Sequence, residues 1–140
     1  MGKTQFGENH YLTAHNSFML ALGETGLIGL FLFSTMVYLA FKAALTSARD
    51  TVTRDAPARV WSSAVLASLC ACMVSAFFLS QTDRVLVWVP IGLAAALASA
   101  ARARDPSWKL RYTWGEALLV LGADVALVAG MFVYTRMKGV

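Results

Sequence analysis

Residues 60–80 read VWSSAVLASLCACMVSAFFLS, a run of 21 residues without a charged side chain. A helix that crosses about 30 Å of hydrocarbon needs about 20 residues, so this run has the length of one membrane span. Its polar and apolar residues do not alternate with the two-residue period of a barrel strand. In lipid the backbone hydrogen bonds must then be made within the run itself, so the stretch predicts a transmembrane helix.

Three further runs are long and predominantly apolar: Gly26 to Leu45, Val85 to Ala101 and Gly115 to Tyr134. The whole chain of 140 residues is 58% hydrophobic and 14% charged, against roughly 45–50% apolar and about 25% charged in soluble domains. This composition excludes a soluble globular domain and a disordered chain, and two cysteines are too few for a disulfide scaffold. We expect an all-α integral membrane protein of about four transmembrane helices, preceded by residues 1–25 outside the membrane.

The basic residues predict the orientation of these helices. Eight of the 12 flank the first and third connections, and cytoplasmic loops of membrane proteins carry such an excess. Residues 1–25, the turn at 81–84 and the C-terminus would then lie outside. The net charge of +4 is explained in this way, and we expect no nucleic-acid partner. The eight residues are Lys42, Arg49, Arg54, Arg59, Arg102, Arg104, Lys109 and Arg111.

Residues 1–25 contain no hydrophobic signal segment that would start their export. An external position for them therefore requires preceding helices. We expect the chain to be the C-terminal portion of a larger polytopic bundle, with the upstream helices of the same protein as its partners.

The densest polar segment, NHYLTAHNS at residues 9–17, stands directly before the first span. Asn16 or Ser17 is suited to cap a helix, which would place His15 at a helix N-terminus, where anions such as phosphate are favoured. Glycines at 23, 26 and 29 recur every three residues and form a strip without side chains, where another helix or a ligand can approach the backbone closely. An unbroken helix from Ser17 to Leu45 would extend about 43 Å, so its first two turns would lie at or above the interface.

Residues 15–30, HNSFMLALGETGLIGL, resemble the His-Asn, Leu, Glu, Gly-Leu, Gly pattern of the bacterial O-antigen ligase and polymerase superfamily. Residues 84–92, RVLVWVPIG, are similar to a late-helix pattern of the same family. The resemblance implies a metal-independent glycosyltransferase without a cofactor. It would move a glycan from an undecaprenyl-pyrophosphate carrier to lipid A core, another glycan or a protein. The site would lie on the periplasmic face of the bacterial inner membrane, where residues 1–25 would be.

The functional histidine of that family maps onto His15, which is the expected catalytic residue. An imidazole with a reference pKa near ~6.5 can take the acceptor proton or neutralise the departing pyrophosphate, and both roles stay open. We expect Asn16, Glu24 and Arg84 to bind substrate. Glu24 is equally suited to be a solvated carboxylate at the membrane edge, and Arg84 to be a loop charge paired with Asp83.

Family members carry further helices and external-loop arginines that hold the pyrophosphate, which these residues do not include. We therefore expect the chain to be inactive by itself. No metal site is expected, because the five-residue spacing of His10 and His15 does not place both on one helix face.

Two rival functions rest on other residues. Asp124 lies in the middle of the fourth span, where a carboxylate is costly, and it would mark a transporter or channel fragment unless it is a hydrogen-bonded packing residue. Gly122, Ala126 and Gly130 form a small-residue stripe that would serve packing in a non-catalytic membrane scaffold or assembly subunit. Cys70 and Cys72 are about 200° apart around a helix and cannot pair.

Overall fold

A computed structural model describes residues 16–49, 56–78 and 85–137, and the described chain is helical without strands. The helices are α1 (Ser17–Arg49), α2 (Ala56–Phe78), α3 (Val85–Arg104) and α4 (Trp114–Met137). All four are long and apolar enough to cross a membrane. The expected all-α membrane architecture with four spanning helices is thus confirmed.

The helices extend beyond the apolar runs by which the sequence located them. Helix α1 begins at Ser17, nine residues before Gly26, and α3 and α4 each continue for three residues past the predicted ends. Charge and hydropathy mark where hydrocarbon begins, whereas backbone hydrogen bonding can continue a helix into the polar interface. The expected second connection, residues 81–84, lies outside the described residues.

Helix α1 is the centre of the bundle, since it contacts each of the other three helices. Small side chains allow α1, α2 and α3 to approach closely. One buried cluster joins Ala40 and Ala44 of α1 to Leu69 of α2 and Ala94 of α3, and a second joins Ala21, Phe33 and Val37 to Val87. Among the described helices, α4 contacts only α1.

These contacts also set the direction of each helix. Later residues of α1 pack against later residues of α3, so α1 and α3 run parallel. The hydrogen bonds between α1 and α4 join Ser34 to Asp124 and Tyr38 to Glu116, so α4 runs antiparallel to α1. The C-terminal ends of α1 and α3 and the N-terminal end of α4 therefore lie at one end of the bundle. We call this the basic end, because it contains Arg49, Arg102, Arg104, Lys109 and Arg111.

Candidate functional site

Asn16 caps helix α1 and fixes its first turn. The backbone N–H groups of Phe18 and Met19 donate to Asn16 Oδ1 at 2.9 and 3.2 Å, and the N–H of Leu20 donates to the Asn16 carbonyl at 2.9 Å. Asn16 and Ser17 are both buried, although a helix end at a membrane surface has water available. Of the two expected cap residues, Asn16 is therefore the one that caps α1. The helix begins directly after it, at Ser17.

Helix α1 is interrupted at Gly26, which has φ 69° and ψ −170°. This region of backbone conformation is nearly exclusive to glycine, because a Cβ would collide with the backbone. An unbroken helix from Ser17 to Leu45 is therefore not present. The interruption divides α1 into a short segment, residues 17–25, and a long segment that contains most of the span.

The turn at Gly26 also explains the next glycine of the strip. The hydroxyl of Thr25 donates to the carbonyl of Ala21 at 2.6 Å, and this places the Thr25 side chain where a Cβ on Gly29 would be. Such a Cβ would lie only 2.2 Å from Thr25 Cβ. Gly23 has open space around it, so the three glycines serve different purposes despite their regular spacing.

An open groove lies beside the interruption, and we call it the α1–α3 groove. Glu24 is exposed and lines it together with Thr25, Gly29 and Phe33 of α1 and Trp88 of α3. Phe33 makes edge contacts with both Phe18 and Trp88, with ring centroids 5.4 and 6.2 Å apart. The groove thus combines an apolar wall with one carboxylate at the Asn16 end of the bundle.

The expected site residues fall into two groups. Asn16 caps the short segment of α1, and Glu24 lies on that segment and lines the α1–α3 groove. His15 and Arg84 lie outside the described residues. Their chain neighbours share one end of the bundle, since Ala21 of α1 packs in one cluster with Val87 of α3. Trp88, which was not among the expected site residues, lies within the second family-like segment and lines the groove.

A separate polar contact joins α1 to α4, and we call it the α1–α4 seam. Ser34 Oγ donates to Asp124 Oδ1 at 2.7 Å, and Tyr38 donates to Glu116 Oε1 at 2.7 Å. Lys42 forms an ion pair with Glu116. Ser34, Tyr38 and Lys42 recur every four positions and so share one face of α1. This spacing was the sequence signal from which a polar contact face on α1 could have been predicted.

Asp124 is 4% exposed, and the second oxygen of its carboxyl group is buried without a hydrogen-bond partner in the described part of the chain. An aspartate at the centre of a spanning helix costs about 2.5–3.5 kcal/mol on insertion scales. Its place against Ser34 makes it a hydrogen-bonded contact between helices. The small-residue stripe of Gly122, Ala126 and Gly130 is exposed and points away from α1.

Glu116 also organises the start of α4. The backbone N–H of Thr113 donates to Glu116 Oε2 at 2.8 Å, and the N–H of Glu116 reaches back to Thr113 Oγ1 at 3.4 Å. This is the reciprocal arrangement that the Thr113 and Glu116 spacing is typical of. One carboxylate therefore caps α4 and ties it to Lys42 and Tyr38 of α1.

Among residues 16–49, 56–78 and 85–137, no group of three His, Cys, Asp or Glu side chains is placed to hold a metal ion. Cys70 and Cys72 are free thiols. Comparison of the chain with protein-family models, with curated proteins and with solved structures finds no match.

Proposed function

We propose that this chain is part of a membrane glycosyltransferase of the O-antigen ligase or polymerase type. The observation that carries the proposal is the motif at residues 15–30, in which a histidine precedes a capped helix that contains Glu24 and a glycine break. The substrate would be a glycan on an undecaprenyl-pyrophosphate carrier in the bacterial inner membrane. The acceptor would be lipid A core, another glycan or a protein.

The arrangement around Asn16 supports this proposal in two ways. A polyprenyl carrier has an apolar chain and an anionic head, and the α1–α3 groove is apolar while the N-terminus of α1 attracts anions. The groove, the cap and the chain neighbours of His15 and Arg84 all lie at one end of the bundle. A carrier whose apolar chain lies in the groove would bring its pyrophosphate to this end of the bundle, so the residues that act on the pyrophosphate must lie there too.

The proposed reaction breaks the bond between the glycan's anomeric carbon and the pyrophosphate oxygen. A new bond forms from that carbon to the acceptor oxygen, the pyrophosphate leaves with the bonding electrons, and the acceptor's proton must be removed. His15 would accept that proton as a base, or would neutralise the leaving pyrophosphate as a cation. Glu24 and Arg84 would bind substrate next to it.

The test replaces His15 by Ala in the complete protein in bacterial membranes, with an undecaprenyl-pyrophosphate-linked glycan supplied. We expect glycan transfer to fall by about 10²–10⁴-fold, the usual contribution of a positioned acid or base, with membrane insertion unchanged. His10→Ala is the matched control, since it removes the other imidazole of the same segment, and it should retain activity. Retained transfer in His15→Ala would remove this residue from the mechanism.

The two roles of His15 differ in their pH dependence. If the imidazole acts as a base, transfer rises with pH as the ring loses its proton. If it acts as a cation towards pyrophosphate, transfer falls as pH rises through the same range. The pH profile of the parent protein, compared with that of any residual activity in His15→Ala, separates these cases.

A further inference from the structure

The basic end of the bundle contains an open cleft between the last turns of α3 and the connection that follows it. We call it the basic cleft. Arg102 lines it from α3, and Trp108, Lys109 and Arg111 line it from the connection, with Ala98 and Leu110 as its apolar wall. Three of the seven lining side chains are cationic, and none is a carboxylate. The cleft therefore concentrates positive charge next to apolar surface.

None of the three cations forms an ion pair within the part of the chain that the structure describes. The carboxylates of the connection and of the first turn of α4 are hydrogen-bonded to other residues. Asp105 Oδ1 accepts hydrogen bonds from the N–H and the hydroxyl of Ser107, at 2.8 and 2.7 Å. Glu116 is paired with Lys42, which also donates to the carbonyl of Arg111. The charge of the cleft is thus left without a counter-charge from the described protein.

The connection is held in place, so the cleft is a formed feature. The N–H of Asp105 donates to the Ala101 carbonyl at 2.9 Å, and the N–H of Trp108 donates to the Asp105 carbonyl at 3.0 Å. These two bonds continue the chain from the end of α3 into a tight turn. Trp108 lines the cleft, and its indole N–H is buried without an acceptor in the described residues.

We propose that the basic cleft binds the phosphate headgroup of an anionic phospholipid. Three cations match a phosphate, and the apolar wall of Ala98 and Leu110 matches the start of an acyl chain. Tryptophan and basic side chains at a helix end are typical of the headgroup level, and basic pockets between spanning helices bind anionic headgroups. The basic cleft is at the opposite end of the bundle from Asn16 and Glu24. It is therefore separate from the proposed glycosyl-transfer site, and its failure would leave that proposal intact.

The experiment titrates the purified full chain in a neutral detergent with phosphatidylglycerol while Trp fluorescence is recorded. We expect a saturable change that Trp108→Phe abolishes, since the other three tryptophans lie outside the cleft. Replacing Arg102, Lys109 and Arg111 together by Gln should weaken binding by about 100-fold, because each cation near an anionic headgroup contributes to affinity. Lys109→Arg should keep binding, which shows that the charge matters.

The matched control removes the same charge from the same end of the bundle by replacing Arg49, Arg59 and Arg104 with Gln. Arg59 belongs to this end because the first turns of α2 line one cleft with Ser47 and Arg104. The three arginines are exposed and do not line the basic cleft. Circular dichroism establishes that both triple variants keep their helix content. Equal weakening in the two triple variants would overturn the proposal in favour of diffuse charge. Equal binding of phosphatidylcholine, or full competition by millimolar inorganic phosphate, would equally contradict an anionic-phospholipid site.

Discussion

Gly26 is the residue on which the shape of the Asn16 end depends. With φ 69° and ψ −170°, it has a conformation that other residues adopt only at a cost of about 1–3 kcal/mol. Because the backbone turns there, Thr25 occupies the space above Gly29 and Glu24 faces the α1–α3 groove. One glycine therefore determines whether the segment that carries the family-like motif lies along α1 or at an angle to it.

We expect Gly26→Ala to lower the free energy of unfolding by about 1–3 kcal/mol, or to straighten α1 and close the groove. Gly23→Ala is the matched control, because Gly23 is helical with open space around it, and alanine there should be neutral or stabilising by about 0.4–1 kcal/mol. Thermal unfolding of both variants in the same detergent measures the difference. Equal stability of the two variants would show that the turn at Gly26 is not required.

At the scale of the elements, the sequence predicted the number and type of helices because hydrophobic length is a strong constraint in a membrane. It also predicted a cap at Asn16 or Ser17, and the structure shows that Asn16 is the cap. The spacing of Thr113 and Glu116 is a local pattern of the same kind. The break at Gly26 was not predicted, since a glycine is tolerated inside a spanning helix and only the packed structure decides its φ. Only one side of the α1–α4 seam was predicted. A carboxylate within a spanning helix identified Asp124, whereas its hydrogen-bond partner Ser34 was not identified.

The seam predicts how α4 is held in the bundle. Glu116→Gln removes the ion pair with Lys42 and weakens both the bond from Tyr38 and the cap at Thr113. We expect faster hydrogen exchange in the first turns of α4, because a cap and charged hydrogen bonds are lost. Hydrogen exchange of amides 117–121 in detergent measures this change.

Asp105→Asn is the matched control for Glu116→Gln. It removes one carboxylate charge from the connection that precedes α4, but Asp105 makes its side-chain hydrogen bonds to Ser107 and none to α1. Exchange in α4 should be close to that of the parent. If both variants exchange alike, the seam does not hold α4 in place.

At the scale of the whole molecule, the two ends of the bundle differ in charge. The ends of α1 and α3 and the start of α4 form the basic end, whereas the opposite end contains Asn16, Glu24 and the α1–α3 groove. The excess of basic residues predicts that the basic end is cytoplasmic. The proposed glycosyl transfer requires the same orientation, because His15 must then meet a carrier on the extracytoplasmic side.

The most direct test of this account is the membrane side of residues 1–15. Single cysteines at Gln5 and at Ser107, each in a chain with Cys70 and Cys72 replaced by Ala, are labelled in intact cells with a membrane-impermeant maleimide. We predict that Gln5→Cys is labelled from outside and that Ser107→Cys is labelled only after the cells are opened. Labelling of Ser107→Cys but not Gln5→Cys in intact cells would place His15 in the cytosol and contradict the proposed function.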